Sequence, residues 1–125
     1  MAKFLKEQPA VSSVTYPGLE TDANYELAQK YVPNGLCGVI SFEIGAGKET
    51  AAKWLDALEL VSLEVHVADI RTCALHPATS THRQLSDEEL KSAGISPGLI
   101  RISCGIENVK DILSDLEQAF KQLEA

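Results

Sequence analysis

The sequence predicts an α/β chain of the α+β kind: a mixed, mainly antiparallel sheet with helices covering one face. Three observations carry this. The segments 38–44 and 99–105 alternate apolar and polar residues, which marks strands buried on one side only. After Asn108, apolar residues recur at helical spacing: Val109, Ile112, Leu113, Leu116, Phe120 and Leu123. Between these stretches, helical and extended segments interleave with mixed strand-to-strand links, as expected when the helices gather on one side of the sheet. At 125 residues the chain is long enough for one domain with a real core.

The elements read as follows. Met1 to about Pro9 looks like the tail end of a helix, with Phe4 and Leu5 on one face and lysines elsewhere. Val11 to Tyr16 is a short β-branched run closed by Pro17-Gly18. Thr21 or Asp22 can cap a helix from about Ala23 to Tyr31, with Leu27, Ala28 and Tyr31 as its apolar stripe and Pro33-Asn34-Gly35 as its stop. From Gly38 to Ile44 a strand sets Val39, Ser41 and Glu43 against Ile40, Phe42 and Ile44. A glycine turn, Gly45-Ala46-Gly47, leads to a helix over Glu49–Leu60 that buries Ala51, Trp54, Leu55 and Leu58. Leu63 to Leu75 reads as strand, loop and strand, broken near Ala68-Asp69, and His76 to His82 reads as a polar loop. Ser86-x-x-Glu89 is a capping box opening a short helix that Gly94 ends. Pro97-Gly98 precedes the strand from Leu99, and Asn108 caps the last helix.

Composition excludes several classes. With a net charge of −7 and no basic stripe, nucleic acid is not an expected partner. No apolar run approaches membrane length, so a membrane is not expected either. Cys37, Cys73 and Cys104 form no disulfide framework, and a reducing cytoplasm is the simple setting. His66, His76 and His82 match no zinc spacing, so no metal site is expected; His76 before Pro77 reads as a turn residue bonded to nearby backbone. There is no Gly-x-Ser-x-Gly elbow and no cysteine with an evident base. A phosphate loop of the Gly-x-x-x-x-Gly-Lys-Ser/Thr type ending at Lys48 would need glycine at 42 and Ser/Thr at 49, where Phe42 and Glu49 stand.

One residue stands out. On the strand from Leu99, Ile100, Ile102 and Cys104 take the core side, and Arg101, Ser103 and Gly105 take the other. Two small neighbours would leave the Arg101 fork reachable for a carboxylate or phosphate. The alternative is a solvated or ion-paired charge on an open sheet face.

Four stretches, in order, resemble a known family: Ala10-Val11 through Tyr16-Pro17-Gly18-Leu19; Glu26-Leu27-Ala28 with Gly38 through Ile44; Leu75-His76-Pro77-Ala78 through Thr81-His82 to Leu85; and Ile95 through Leu99-Ile100-Arg101 to Gly105-Ile106-Glu107. They resemble the pyridoxal-phosphate enzymes of cysteine and methionine metabolism, O-acetylhomoserine sulfhydrylases above all. The resemblance implies the C-terminal small domain of a fold-type I enzyme. Residues 1–10 would be the remnant of an interdomain helix and residues 11–125 the small domain, without the large cofactor-binding domain. It further implies pyridoxal phosphate in the complete enzyme and none bound by this chain alone, since the Schiff-base lysine, the ring-stacking aromatic and the phosphate loop belong to the large domain. By the same resemblance, Arg101 matches the arginine that grips the substrate α-carboxylate. His66-Val67-Ala68-Asp69 falls where relatives carry Ser-Leu-Gly or Asn-Val-Gly; His66 would be a hydrogen-bond donor to that carboxylate, and Ala68 replaces the glycine. The implied partners are a small amino-acid substrate and the large domain or a second copy. A free-standing association or regulatory module, and a decayed pseudo-domain, are the alternatives.

Overall fold

A computed structural model describes residues 1–124. The elements are α1 (Ala2–Lys6), β1 (Val11–Thr15), α2 (Tyr25–Tyr31), β2 (Val39–Ile44), α3 (Lys48–Asp56), β3 (Ser62–Leu63), β4 (Cys73–Leu75), a 3-10 turn (Pro77–Thr79), α4 (Asp87–Ser92), β5 (Leu99–Ser103) and α5 (Val109–Glu124). The five strands form one sheet in the order β1-β2-β5-β4-β3. Every pairing is antiparallel except β3 with β4. The expected mixed, mainly antiparallel sheet is the one observed.

The period-2 reading of β2 and β5 fixes which face is covered. Ile40, Phe42, Ile44, Ile100 and Ile102 are all buried, and they meet Ala51, Trp54 and Leu55 of α3 and Ile112, Leu116, Ala119 and Phe120 of α5. Trp54 is the hub: its ring lies 5.4 Å edge-on from Phe42 and 5.1 Å from Phe120. Removing a buried ring of this size typically costs about 3–5 kcal/mol. Gly98 lies so close to the Ile44 backbone that a Cβ has no room, which explains glycine before β5. The Ser86/Glu89 capping box is present on α4, and Gly94 follows the helix at φ 75°.

Four local expectations are corrected. Helix α2 starts at Tyr25 rather than Ala23, and only Ala28 of its stripe is buried; Leu27 is 53% and Tyr31 70% exposed. Neither Thr21 nor Asp22 caps it. Asp22 instead accepts from the N–H groups of Tyr16 and Asn24, and Thr21 accepts from Lys6 Nζ. Helix α3 ends at Asp56, short of Leu60, because the buried Asp115 of α5 captures the N–H groups of Glu59, Leu60 and Val61 at 2.9, 3.0 and 2.9 Å. On α5, Val109 is exposed, since the stripe meets the core only from Ile112 onward. Finally, Thr72 through Ala78 are all buried, so the start of the expected polar loop is interior.

Candidate functional site

Arg101 sits mid-strand on β5, opposite Ser41 of β2 and Leu75 of β4. Directly paired residues share a face, so Ser41 and Leu75 flank Arg101 on the side away from α3 and α5. Hydrogen bonding on both strand edges fixes its backbone. Its Nη2 donates to the carbonyl of Val65 at 2.8 Å. Its Nε is buried and has no acceptor, and among the described residues no carboxylate forms an ion pair with it. A guanidinium held this way is an incompletely satisfied donor fork.

The surroundings of Arg101 correct one expectation. Ser103 and Gly105 do not lie open; the loop from Glu64 to Arg71 crosses over them. Ser103 is only 2% exposed, and its Oγ accepts from the N–H of Ala68 at 2.9 Å. Gly105 lies beneath the backbone of Ile70 and Arg71 with no room for a Cβ, and Ile106 N–H donates to Ile70 O at 2.9 Å. Small residues at these places admit the loop, not solvent.

His66 lies on that loop one residue beyond Val65. Its Nδ1 faces Glu64 Oε2 at 3.0 Å and Asp69 Oδ2 at 3.5 Å. Arg71 closes the cluster through Glu64 at 2.8 Å and Asp69 at 3.4 Å. The Arg71 backbone N–H, with the Arg71 guanidinium adding to it, donates to Asp69 and holds its carboxyl below its ordinary value. The structure therefore places His66 on the loop that Arg101 reaches from β5, through the carbonyl of the adjacent Val65. A carboxylate accepts only, so the His66 nitrogen facing Glu64 is the donor of that pair.

Ala68 takes φ 60°, the left-handed region where a glycine is at ease and an alanine is strained by about 1–2 kcal/mol. Ala68→Gly is expected to stabilise the chain by about 0.5–1 kcal/mol, since the extra freedom of glycine in the unfolded chain offsets part of the relief. Thermal melts of the two chains check this; a lower Tm for the glycine variant would contradict it.

Glu107 and Thr72, which the sequence did not single out, hold the site's frame. Glu107 accepts from Thr72 N–H at 2.7 Å and Thr72 Oγ1 at 2.8 Å, and Thr72 Oγ1 accepts from Gly105 N–H at 2.9 Å. Burial pushes the Glu107 carboxyl up, but the Thr72 bonds outweigh it and the net displacement is downward. His76, read from the sequence as a turn residue, is one: its Nδ1 meets Thr79 Oγ1 at 2.9 Å and its Nε2 donates to Pro97 O at 2.7 Å. Burial, with Lys48 adding to it, lowers the His76 pKa from 6.5 against the pull of the Pro97 carbonyl. A histidine with a lowered native pKa supports the fold fully above its unfolded value and loses that support as pH falls through the native one. The chain is therefore expected to lose stability below about pH 6.5. His76→Gln should flatten that slope in urea melts taken between pH 7.5 and 5, and an unchanged slope would contradict the assignment.

A cavity of 170 Å³ opens between α3 and the segment Leu63–Val65, with Leu55, Leu75 and His76 among its walls. Arg101 does not line it. Among the described residues no cluster of His, Cys, Asp or Glu could hold a metal, and no helix is long and apolar enough to cross a membrane.

Comparison with known proteins supplies the context for this site. The family model for Cys/Met metabolism PLP-dependent enzymes matches residues 1–121. The chain belongs to this family. The O-acetyl-L-homoserine sulfhydrylase of Leptospira meyeri is 48% identical over 124 residues, covering 98% of this chain and 28% of that protein. The homocysteine synthase of Schizosaccharomyces pombe is 43% identical, over 97% of this chain and 28% of its own length. A Campylobacter jejuni structure assigned as an O-acetylhomoserine (thiol)-lyase, which contains N'-pyridoxyl-lysine-5'-monophosphate, superposes with a TM-score of 0.85 at 40% identity. It is covered over 28% of its length, against 96% of this chain. The chain thus spans just over a quarter of the relatives it matches.

The family's cofactor is pyridoxal phosphate. The residues present do not fit a site for it of their own. Every lysine is exposed or half-exposed, whereas a Schiff-base lysine needs a desolvated pocket. Lys48 opens α3 behind the Gly45–Gly47 turn and is one of these half-exposed residues. No chemical step is therefore assigned to the cofactor within this chain.

Proposed function

We propose that this chain serves as the C-terminal domain of an O-acetylhomoserine sulfhydrylase-like enzyme of methionine and cysteine biosynthesis, where it recognises the α-carboxylate of a small amino-acid substrate. The observation that carries the reading is the state of Arg101: a guanidinium on the central strand, held by one carbonyl, with a buried unpaired Nε and no carboxylate partner among the described residues. An amino-acid carboxylate is the group such a fork lacks. Arg101 would bind and orient, and His66 would border the same subsite. The covalent chemistry would come from pyridoxal phosphate on the cofactor-binding part of the enzyme, in a cytoplasmic setting, and the lone chain would not turn over substrate. A chimera tests this: the matching segment of the Leptospira relative is exchanged for this chain, and sulfhydrylase turnover is measured with O-acetyl-L-homoserine. Turnover comparable to the parent supports the reading. A chimera that folds and holds its cofactor without turnover refutes it.

Exposed apolar residues beside the site favour a docked partner. Val65 and Val67 sit on the loop, and Ile70 and Ile106, joined through their backbones, are 71% and 84% exposed. This face would meet the cofactor-binding part, or a second copy of the chain when alone. Such interfaces bury on the order of 600–1,500 Å². Analytical ultracentrifugation of the lone chain at increasing concentration is expected to show self-association, and a monomer throughout would contradict it.

A further inference from the structure

We propose that Ser103 is a positioning residue for Arg101 and acts on it through the loop from Glu64 to Arg71; the functional meaning of this role rests on the carboxylate reading of Arg101. Ser103 and Arg101 are two residues apart on β5 and so share a face of the sheet. The buried Ser103 hydroxyl accepts the Ala68 N–H, and the Val65 carbonyl, three residues upstream of Ala68, accepts from Arg101 Nη2. A closed circuit results: Arg101, Val65, Ala68, Ser103 and back along the strand.

The two halves of the loop are tied to each other by the His66–Asp69 and Arg71–Glu64 pairs, but they are fastened to the rest of the chain by different means. The downstream half is fastened by Ile70 O to Ile106 N–H, by Asp69 to the Arg71 N–H, and by Glu107 to Thr72. Gly105 lets it lie flat. None of these contacts involves Ser103. In the upstream half, Val65, His66, Val67 and Ala68 are exposed, and Ala68 sits at a left-handed φ that an alanine keeps only where neighbours enforce it. Ser103 is the buried group that enforces it. Without its oxygen the Ala68 N–H has no described partner, Ala68 relaxes towards ordinary φ, and the Val65 carbonyl moves off the guanidinium. A fork free to swing meets a carboxylate less often in the productive orientation.

The test uses the full chain, ¹⁵N-labelled, with acetate as the carboxylate probe. In Ser103→Ala, hydrogen exchange at the Ala68 amide and the Arg101 Nε–H is expected to accelerate about tenfold, with the Ile40 and Ile102 amides unchanged. The acetate concentration that half-shifts the Arg101 Nε–H signal should rise several-fold. Unchanged exchange at Ala68 or Arg101 overturns the proposal. So does equal acceleration at Ile40 and Ile102, which would mark Ser103 as a general stabiliser of the sheet. If acetate leaves Arg101 unmoved in the parent chain, the carboxylate reading fails, while the exchange rates still decide the positioning role.

Discussion

Arg101→Lys, in a full-length chimera carrying this chain, is expected to lower kcat/KM by about 30- to 100-fold, or roughly 2–3 kcal/mol, the range for losing a charged hydrogen-bonded contact. The reason is shape as much as charge. Arg101 reaches Val65 O with Nη2 and keeps its remaining donors in a fixed plane; a lysine ammonium keeps the charge but has no second donor at that spacing. Arg101→Ala should cost at least as much. Neither change should move the Tm of the lone chain far, because the head group contributes one surface hydrogen bond and no core packing. Steady-state kinetics of the chimera beside melts of the lone chain separate the outcomes. Unchanged kinetics with a large drop in Tm would make Arg101 a structural strut.

A large loss of stability is expected from Asp115→Ala, at about 3 kcal/mol. Asp115 is buried on α5, and its two oxygens accept three consecutive backbone N–H groups, from Glu59, Leu60 and Val61, as well as Gln118 Nε2. These donors end α3 and aim the chain into β3. Alanine leaves all three without that acceptor at once, and the N–H of Val61 is buried. Burial alone would push the Asp115 carboxyl up, but the three N–H groups and Gln118 hold it below 3.8. A lowered carboxylate supports the fold above its unfolded pKa and loses that support as pH falls through the native one. Below about pH 4 the parent should therefore lose stability faster than Asp115→Asn, whose amide does not titrate there. Urea melts at pH 7 and pH 3 check both statements. A loss under about 1 kcal/mol for the alanine variant at pH 7 would show that water replaces the carboxylate.

The elements legible in the sequence were those whose pattern and packing agree. The alternation over 38–44 and 99–103 gave the faces of β2 and β5 correctly because one side of each meets helices. The failures came where a long-range contact overrides a local pattern. Helix periodicity runs on past Asp56, yet the chain turns there because a carboxylate more than fifty positions later takes its N–H groups. Leu27 and Tyr31 have helical spacing, but no element covers them. The place of Arg101 on the face away from the helices is legible, because a charge on an apolar strand is conspicuous. Ser103 reads as open space, since nothing local tells a serine that leaves room from one that holds a loop down. Glu107 entered only as a letter in a motif, and its grip on Thr72 spans two elements that are adjacent only in the folded chain.

The position of β5 has a consequence for synthesis. Among the described residues it is the only strand joining β1-β2 to β4-β3. Until Leu99–Ser103 is in place, the preceding residues can form at most two separate ribbons, each with an open edge towards the missing strand. A chain growing at about 5–20 residues per second would carry those edges for seconds before the sheet closes, the interval in which unpaired strands find wrong partners. The strand that carries Arg101 is thus also the keystone of folding. A ribosome-bound chain stopped before Leu99 should be captured by aggregation-sensitive probes, and one extended past α5 should escape them.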